Sequence, residues 1–299
     1  MQIYHFVTNQ NKKISVAIDN NHGMVYNLYE KNRRVFSVTP AGQAGLEIMV
    51  LLIASAKGGV GKSTTALGMA LSLSRDRRVL LLDADVSSRS LDVFCGASPT
   101  FHLGDVLLGR CDMARAVCVP FPEVYPNLSF CPAPFYKEEA ELPDGFAHAI
   151  PQVIDTAAGA YDAVVIDTGS GFAIPRAVAS HCDTAFVCSE QSPASIRAAA
   201  YSAEMLATIP MVRLLICNFD LRSARRGERA GMLEMIDACH LRCVGVIPHD
   251  PRLVRCQEKG EIPRHPTPAM QAYRNVALRL IGYSVPLFTG IRLKSRHAL

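Results

Sequence analysis

This sequence predicts an α/β fold, a mostly parallel sheet with helices on both faces. Short, near-continuous apolar runs alternate with helical patterns through most of the chain, as strands buried on both faces do. Two of these runs, at 79–82 and 163–166, end in aspartates, Asp83 and Asp167. An earlier run at 50–55 breaks into a glycine-rich turn that leads into a helical pattern. Ligands of open parallel sheets collect at the carboxyl ends of the strands, so all three points fall where chemistry is expected.

Residues 50–55 read as the first strand of this sheet, and 63–76 as a helix with Leu67, Ala70, Leu71 and Leu73 on its apolar face. The run VLLL at 79–82 is a buried strand, and a helical pair follows at 102–109 and 112–117. Residues 128–131 read as a strand, 145–158 as a helix and 163–166 as a strand. Further strands are expected at 184–188 and 212–217, with a helix at 194–208 between them. The pattern closes with a helix at 232–239, a strand at 243–247 and a helix at 267–281. Residues 1–48 differ: β-like runs at 14–18, 24–29 and 35–39 alternate with polar turns. Two readings stand for them, a small β-meander and an upstream segment with no native role. The domain carrying the chemistry spans 49–284, and 285–299 is a basic tail.

Composition narrows the classes. At 49% hydrophobic and 19% charged, the 299 residues suit a globular protein with a sizeable core. A net charge of +4 does not by itself imply a nucleic-acid or membrane partner. No apolar run approaches the roughly 18 residues of a membrane span, and the first residues lack a basic start followed by an apolar core, so a cytoplasmic location is expected. The ten cysteines include no C-x-x-C pair and are expected to be free thiols, several of them small core residues.

The turn after the first strand reads Lys57-Gly58-Gly59-Val60-Gly61-Lys62-Ser63-Thr64. Strand, glycine-rich turn and helix are the context of a phosphate-binding loop. Its glycines let backbone N–H groups turn inward toward phosphate oxygens, and the helix start adds its positive dipole end. Lys62 can reach the β- and γ-phosphates, and the Ser63 hydroxyl can ligate Mg²⁺. The strict pattern needs glycine at 56, where Ala56 stands. Asp167, closing a buried strand, has the arrangement that holds Mg²⁺ through water.

With its extra lysine, this loop resembles the deviant Walker A loop of the MinD/ParA family of P-loop ATPases. The resemblance covers about residues 49 to 282 and implies a P-loop NTPase fold, bound ATP and Mg²⁺, and ATP hydrolysis. It implies that Lys57 reaches across a nucleotide-sandwich homodimer to the partner's phosphates. The segment 83–92, DADVSSRSLD, resembles the family's switch I. By that resemblance Asp85 positions the attacking water, Asp83 supports the Mg²⁺ shell, and Arg89 matches a family arginine. Ser90 stands where MinD proteins commonly have asparagine. The family usually continues the strand-end aspartate as D-x-P-x-G, and here Gly169 replaces the proline while Gly171 keeps the position that senses the γ-phosphate. Asn218 matches an asparagine that hydrogen-bonds adenine. The segment 245–250, GVIPHD, resembles a G-x-I-P-x-D stretch in which Pro248 and Asp250 line the base pocket.

Several functions remain open on these residues. A MinD-like switch would cycle on and off a membrane to position a division site, with an activating protein partner. A ParA-like ATPase would move on DNA through Arg222, Arg225, Arg226 and Arg229, a cluster that also reads as a solvated loop. A regulator of a flagellar or secretion apparatus would bind nucleotide with little turnover. A metal-cluster carrier would need paired cysteines, which this chain lacks. In the tail, Leu287, Phe288 and Ile291 fall on one helical face that Pro286 could open, with Arg292, Lys294 and Arg296 for anionic headgroups. The other reading is a basic tail folding back on the core.

Overall fold

This computed structural model describes residues 48–88, 90–134 and 145–291, together with the backbone of three strands near the N-terminus. Those strands, β1 (Gln2–Val7), β2 (Lys13–Asp19) and β3 (Met24–Asn27), pair antiparallel in the order β1-β2-β3. The β-like run at 35–39 lies outside the described residues, as does Arg89.

The main sheet has seven strands: β4 (Met49–Ala54), β5 (Val79–Asp83), β6 (Leu128–Cys131), β7 (Ala163–Asp167), β8 (Thr184–Ser189), β9 (Met211–Phe219) and β10 (Cys243–Pro248). Their order is β10-β9-β8-β4-β7-β5-β6, and every pairing is parallel. The chain moves from β4 to β5 and β6, returns to β7, then crosses to β8, β9 and β10 on the other side of β4. The direction of winding reverses at β4, the place where such sheets open a ligand crevice.

Alternating residues explain how the sheet is covered twice. Val50, Leu52 and Ala54 face one core, which includes Ile150 and Val153 of α5 (Phe146–Ala157), Ala199 of α7 (Pro193–Met205) and Met235 of α9 (Met232–Cys239). Leu51 and Ile53 face the other, with Leu67 and Ala70 of α1 (Lys62–Leu73) and Tyr273 and Val276 of α11 (Pro268–Leu280). Both cores exclude water, so β4, β5, β7 and β8 carry apolar side chains on both faces.

Four short helices were not expected from the sequence: α2 (Ser90–Cys95), α6 (Ala173–Val178), α8 (Leu221–Arg225) and α10 (Pro251–Gln257). The expected helical pair forms as α3 (Leu103–Leu107) and α4 (Met113–Ala116). Residues 287–290 form turns rather than the helical turn Pro286 could have opened. Asn275 Nδ2 donates to the Thr289 carbonyl at 2.7 Å, a guanidinium N–H of Arg279 donates to the Val285 carbonyl at 2.9 Å, and Ile291 packs against the core. The remaining tail residues, Arg292, Lys294 and Arg296 among them, lie outside the described residues.

Candidate functional site

The loop between β4 and α1 turns at two glycines with positive φ, Gly59 at 74° and Gly61 at 91°. A side chain is strained in that backbone region, so glycine is what lets the chain reverse into α1 there. Gly61 caps α1 and lies over Cys217: a Cβ at Gly61 would sit 3.5 Å from the Cys217 Cβ. Lys62 is only 7% exposed, and its ammonium donates to the Lys57 carbonyl at 3.3 Å, folded back over the loop. The Lys57 ammonium donates to the neighbouring Gly58 carbonyl at 3.4 Å. Val60 is buried in the core beneath the loop, Ser63 is half-buried, and Thr64 Oγ1 donates to Gln257 Oε1 at 3.3 Å.

Asp83 and Asp167 end adjacent strands as cross-strand partners, each only 1% exposed. Burial, then the charge of Asp167, pushes the Asp83 carboxyl well above its ordinary range. Burial also pushes Asp167 from 3.8 up to about 7, with the Ser63 hydroxyl and the Lys62 ammonium near enough to pull against it. Both carboxyl oxygens of Asp167 are buried and make no hydrogen bond of ordinary length and angle, although the Ser63 hydroxyl and the Thr168 N–H lie close enough to favour the charged form. A buried, unsatisfied carboxylate is costly, and a cation beside it removes that cost. Among the described residues no group of three or more His, Cys, Asp or Glu gathers as a metal site. Ser63, Asp83 and Asp167 therefore fit an ion that takes most of its ligands from phosphate and water, which is the habit of Mg²⁺.

Asp85 is held differently. Its carboxylate accepts from the backbone N–H and hydroxyl of both Ser87 and Ser88, with Ser88 Oγ at 2.6 Å. Burial favours the protonated form, but the hydrogen bonds from Ser87 and Ser88 outweigh it and leave this carboxyl below its ordinary value. Gly169 lies directly against it: a Cβ there would come within 2.8 Å of Asp85 Oδ1. The glycine that stands in place of proline thus leaves room for the Asp85 turn. The next glycine, Gly171, is exposed, and Thr168 Oγ1 ties the segment to the Ile53 carbonyl at 2.9 Å.

The carboxyl ends of β8, β9 and β10 supply the third part. Asn218, exposed and with φ 52°, donates through Nδ2 to Glu190 Oε1 at 3.2 Å. Its Oδ1 lies 2.6 Å from His249 Nδ1. Pro248 ends β10 opposite Phe219. Asp250 is committed to backbone: Oδ1 accepts from Arg252 and Leu253 N–H at the start of α10, and Oδ2 from Ala269 N–H in α11. Sequence reasoning missed Ser87, Ser88 and Glu190. Two serines just after an aspartate are an Asx-turn signal, and Glu190 is the first residue past a strand end.

The cysteines take no part in this chemistry as ligands, although Cys217 packs beneath Gly61. All ten are free thiols, and burial pushes that of Cys182 up to about 12, well away from a thiolate at neutral pH.

Residues 51–263 match the CobQ/CobB/MinD/ParA nucleotide binding domain. The chain belongs to that family. A relative in this family is the septum site-determining protein MinD of Bacillus subtilis (strain 168), 30% identical over 251 residues, 79% of this chain and 90% of the relative. The antiactivator FleN of Pseudomonas aeruginosa is 29% identical over 255 residues, 80% of this chain and 88% of FleN. Among solved structures, a chain of the MinC:MinD cell division protein complex of Aquifex aeolicus superposes with a TM-score of 0.69 at 27% identity, covering 80% of this chain and 98% of that one. Family membership accounts for the parallel sheet and for the loop at its centre. No described helix is long and apolar enough to cross a membrane.

Proposed function

We propose that this chain is an ATP-binding and hydrolysing switch that dimerises with ATP, in the manner of MinD and ParA proteins, and that it serves spatial positioning such as division-site selection. The observation that carries the reading is the pair of unsatisfied, buried Asp167 oxygens beside Ser63 and Lys62 at the head of α1. That end of the sheet holds an unmet electrostatic demand, and a Mg²⁺–nucleotide would meet it.

In this reading the N–H groups of Gly58, Gly59, Val60, Gly61, Lys62, Ser63 and Thr64 cradle the phosphates, and Lys62 swings from the Lys57 carbonyl onto the β- and γ-phosphates. Ser63, Asp83 and Asp167 would hold Mg²⁺, which would supply positive charge at the phosphate oxygens. Asp85 orients the attacking water once it leaves its serine turn. The Gly171 N–H contacts the γ-phosphate, and Lys57 reaches the phosphates of the partner. Asn218 reads adenine, with Pro248 beside it. The Asp250 carboxylate supports this wall through two helix starts rather than through the base.

An activating protein partner belongs to this reading, and a protein partner is seen in the MinC:MinD cell division protein complex. A peripheral position on the cytoplasmic face of the cell membrane is our preferred surface, with Ile291 of the tail packed on the core and so not part of that contact in this conformation. DNA is less favoured, because the arginine cluster also reads as a solvated loop, in which Arg226 lies 3.5 Å from Glu228. The likeness to FleN favours one alternative, a nucleotide-binding regulator of another protein.

The test is ATP turnover by the full chain alone, with anionic liposomes and with DNA, beside sedimentation of the parent and of Lys57→Ala in ATP. Liposome-stimulated turnover and a parent dimer that the variant loses are expected. Turnover stimulated by DNA alone would move the reading to partitioning. Absence of any turnover, with ATP still bound, would move it to the regulator.

A further inference from the structure

Three adjacent parallel strands each place one polar side chain around a single carboxamide. Glu190 follows β8, Asn218 lies near the end of β9, and His249 follows β10. The backbone of each flank is anchored: the Glu190 N–H donates to Ser195 Oγ at 2.9 Å, and the His249 N–H to the Phe219 carbonyl at 3.0 Å. Asn218 itself stands one residue past Cys217, the residue that Gly61 lies over. The carboxamide is therefore held from both sides at the carboxyl end of β9, next in the chain to the residue under the glycine-rich loop.

The chemistry of the two flanks fixes which way the amide faces. A carboxylate only accepts, so Glu190 requires the NH₂ end of Asn218. The carbonyl end then faces His249, which must donate its Nδ1–H. One amide N–H and one carbonyl lone pair stay uncommitted. Adenine offers a ring-nitrogen acceptor beside an amino donor, whereas guanine carries a carbonyl acceptor at the position of that amino group. A free carboxamide reads either base by turning over, and one clamped at both ends reads only one. Asn218 and His249 are exposed and Glu190 is half-buried, so these hydrogen bonds add little to folding.

We propose that Glu190 and His249 are specificity-determining residues, locking the Asn218 carboxamide so that the site takes adenine nucleotides and rejects guanine nucleotides. The inference rests on the reading that the nucleotide base lies at Asn218. Glutamine at 190 can donate as well as accept, so it permits the flipped amide. Phenylalanine at 249 removes the donor that holds the carbonyl end.

The experiment is calorimetric titration of the full chain with MgATP, MgGTP and inorganic triphosphate, for the parent, Glu190→Gln, His249→Phe and Lys62→Ala. The parent should prefer ATP over GTP by about a hundredfold, and Glu190→Gln should narrow that ratio by about tenfold with triphosphate affinity unchanged. His249→Phe should narrow it less, with an unaltered melting temperature in both variants. A ratio unchanged in both variants, or a parent indifferent to the base, overturns this inference while leaving the phosphate loop standing. Full ATP affinity in Lys62→Ala overturns the proposed function and this inference with it.

Discussion

The two ends of the candidate site are built in opposite ways. Where β5 and β7 end, two buried carboxyls face each other across the sheet, and one makes no hydrogen bond of ordinary geometry, although the Ser63 hydroxyl lies beside it. Where β8, β9 and β10 end, the polar groups lie nearer to solvent and are already paired with one another. The first arrangement is costly until a cation and phosphates arrive, so it supplies binding energy. The second needs no completion and would change little on binding a base, the property that the proposed discrimination requires. Asp85 belongs to neither end: it is buried yet saturated, with its donors drawn from Ser87 and Ser88 of its own turn.

The largest expected effect comes from Asp85, which stands apart from both ends. Asp85→Ala should keep ATP binding and lower single-turnover hydrolysis by about a hundredfold or more, the usual loss when a water-orienting group goes. Hydrolysis at the parent rate would remove Asp85 from the chemistry. Next is Lys62→Ala, which deletes the buried ammonium at the loop. ATP affinity should fall about a hundredfold, roughly 3 kcal/mol, read by titration with a fluorescent nucleotide. Base preference should persist in whatever binding remains, since the other end is untouched.

A smaller effect has the opposite sign. Asp167→Asn should stabilise the nucleotide-free protein, by about 1–3 kcal/mol, because it removes an uncompensated buried charge. The parent carboxyl is pushed up to about 7 in the folded state from 3.8. The folded protein then holds a proton that the unfolded chain releases, so the parent loses stability as pH rises from about 4 to about 7. Melting curves of the two proteins should converge near pH 4 and separate by neutral pH. The same variant should lose Mg²⁺-dependent nucleotide binding. Equal melting at neutral pH would mean that the carboxylate is satisfied after all.

The contrast between the ends also decides what could be read from the sequence. Each strand of the main sheet is legible as an apolar run, because strands buried on both faces announce themselves without any partner. The loop, Asp83 and Asp167 are legible for a related reason: each motif is local, a strand and the residues next to it. The helices α2, α6, α8 and α10 run five to seven residues, too short for helical periodicity to register. The Glu190–Asn218–His249 clamp is invisible for a different reason. Its members stand 28 and 31 residues apart, and only the order β10-β9-β8 makes them neighbours. The Asp85 turn was available in the serines at 87 and 88, whereas the close approach of Gly169 depends on how the β5 and β7 loops meet.

Asp250 gives the smallest effect on nucleotide and the sharpest line between the ends. Its place in a G-x-I-P-x-D stretch implies a wall of the base pocket. The carboxylate is instead only 7% exposed, with one oxygen on the first N–H groups of α10 and the other on the Ala269 N–H of α11. Capping of this kind is worth about 1–2 kcal/mol, and here one side chain serves two helices. Asp250→Ala should therefore lower the midpoint of urea unfolding by that amount and leave the ratio of ATP to GTP affinity as in the parent. Asp250→Asn keeps an oxygen for α10 and should recover about half of the loss. An altered ATP to GTP ratio at unchanged stability would place Asp250 against the base and join it to the Asn218 clamp. An unchanged ratio with reduced stability leaves discrimination to Glu190, Asn218 and His249, with Asp250 holding the helices on which that wall stands.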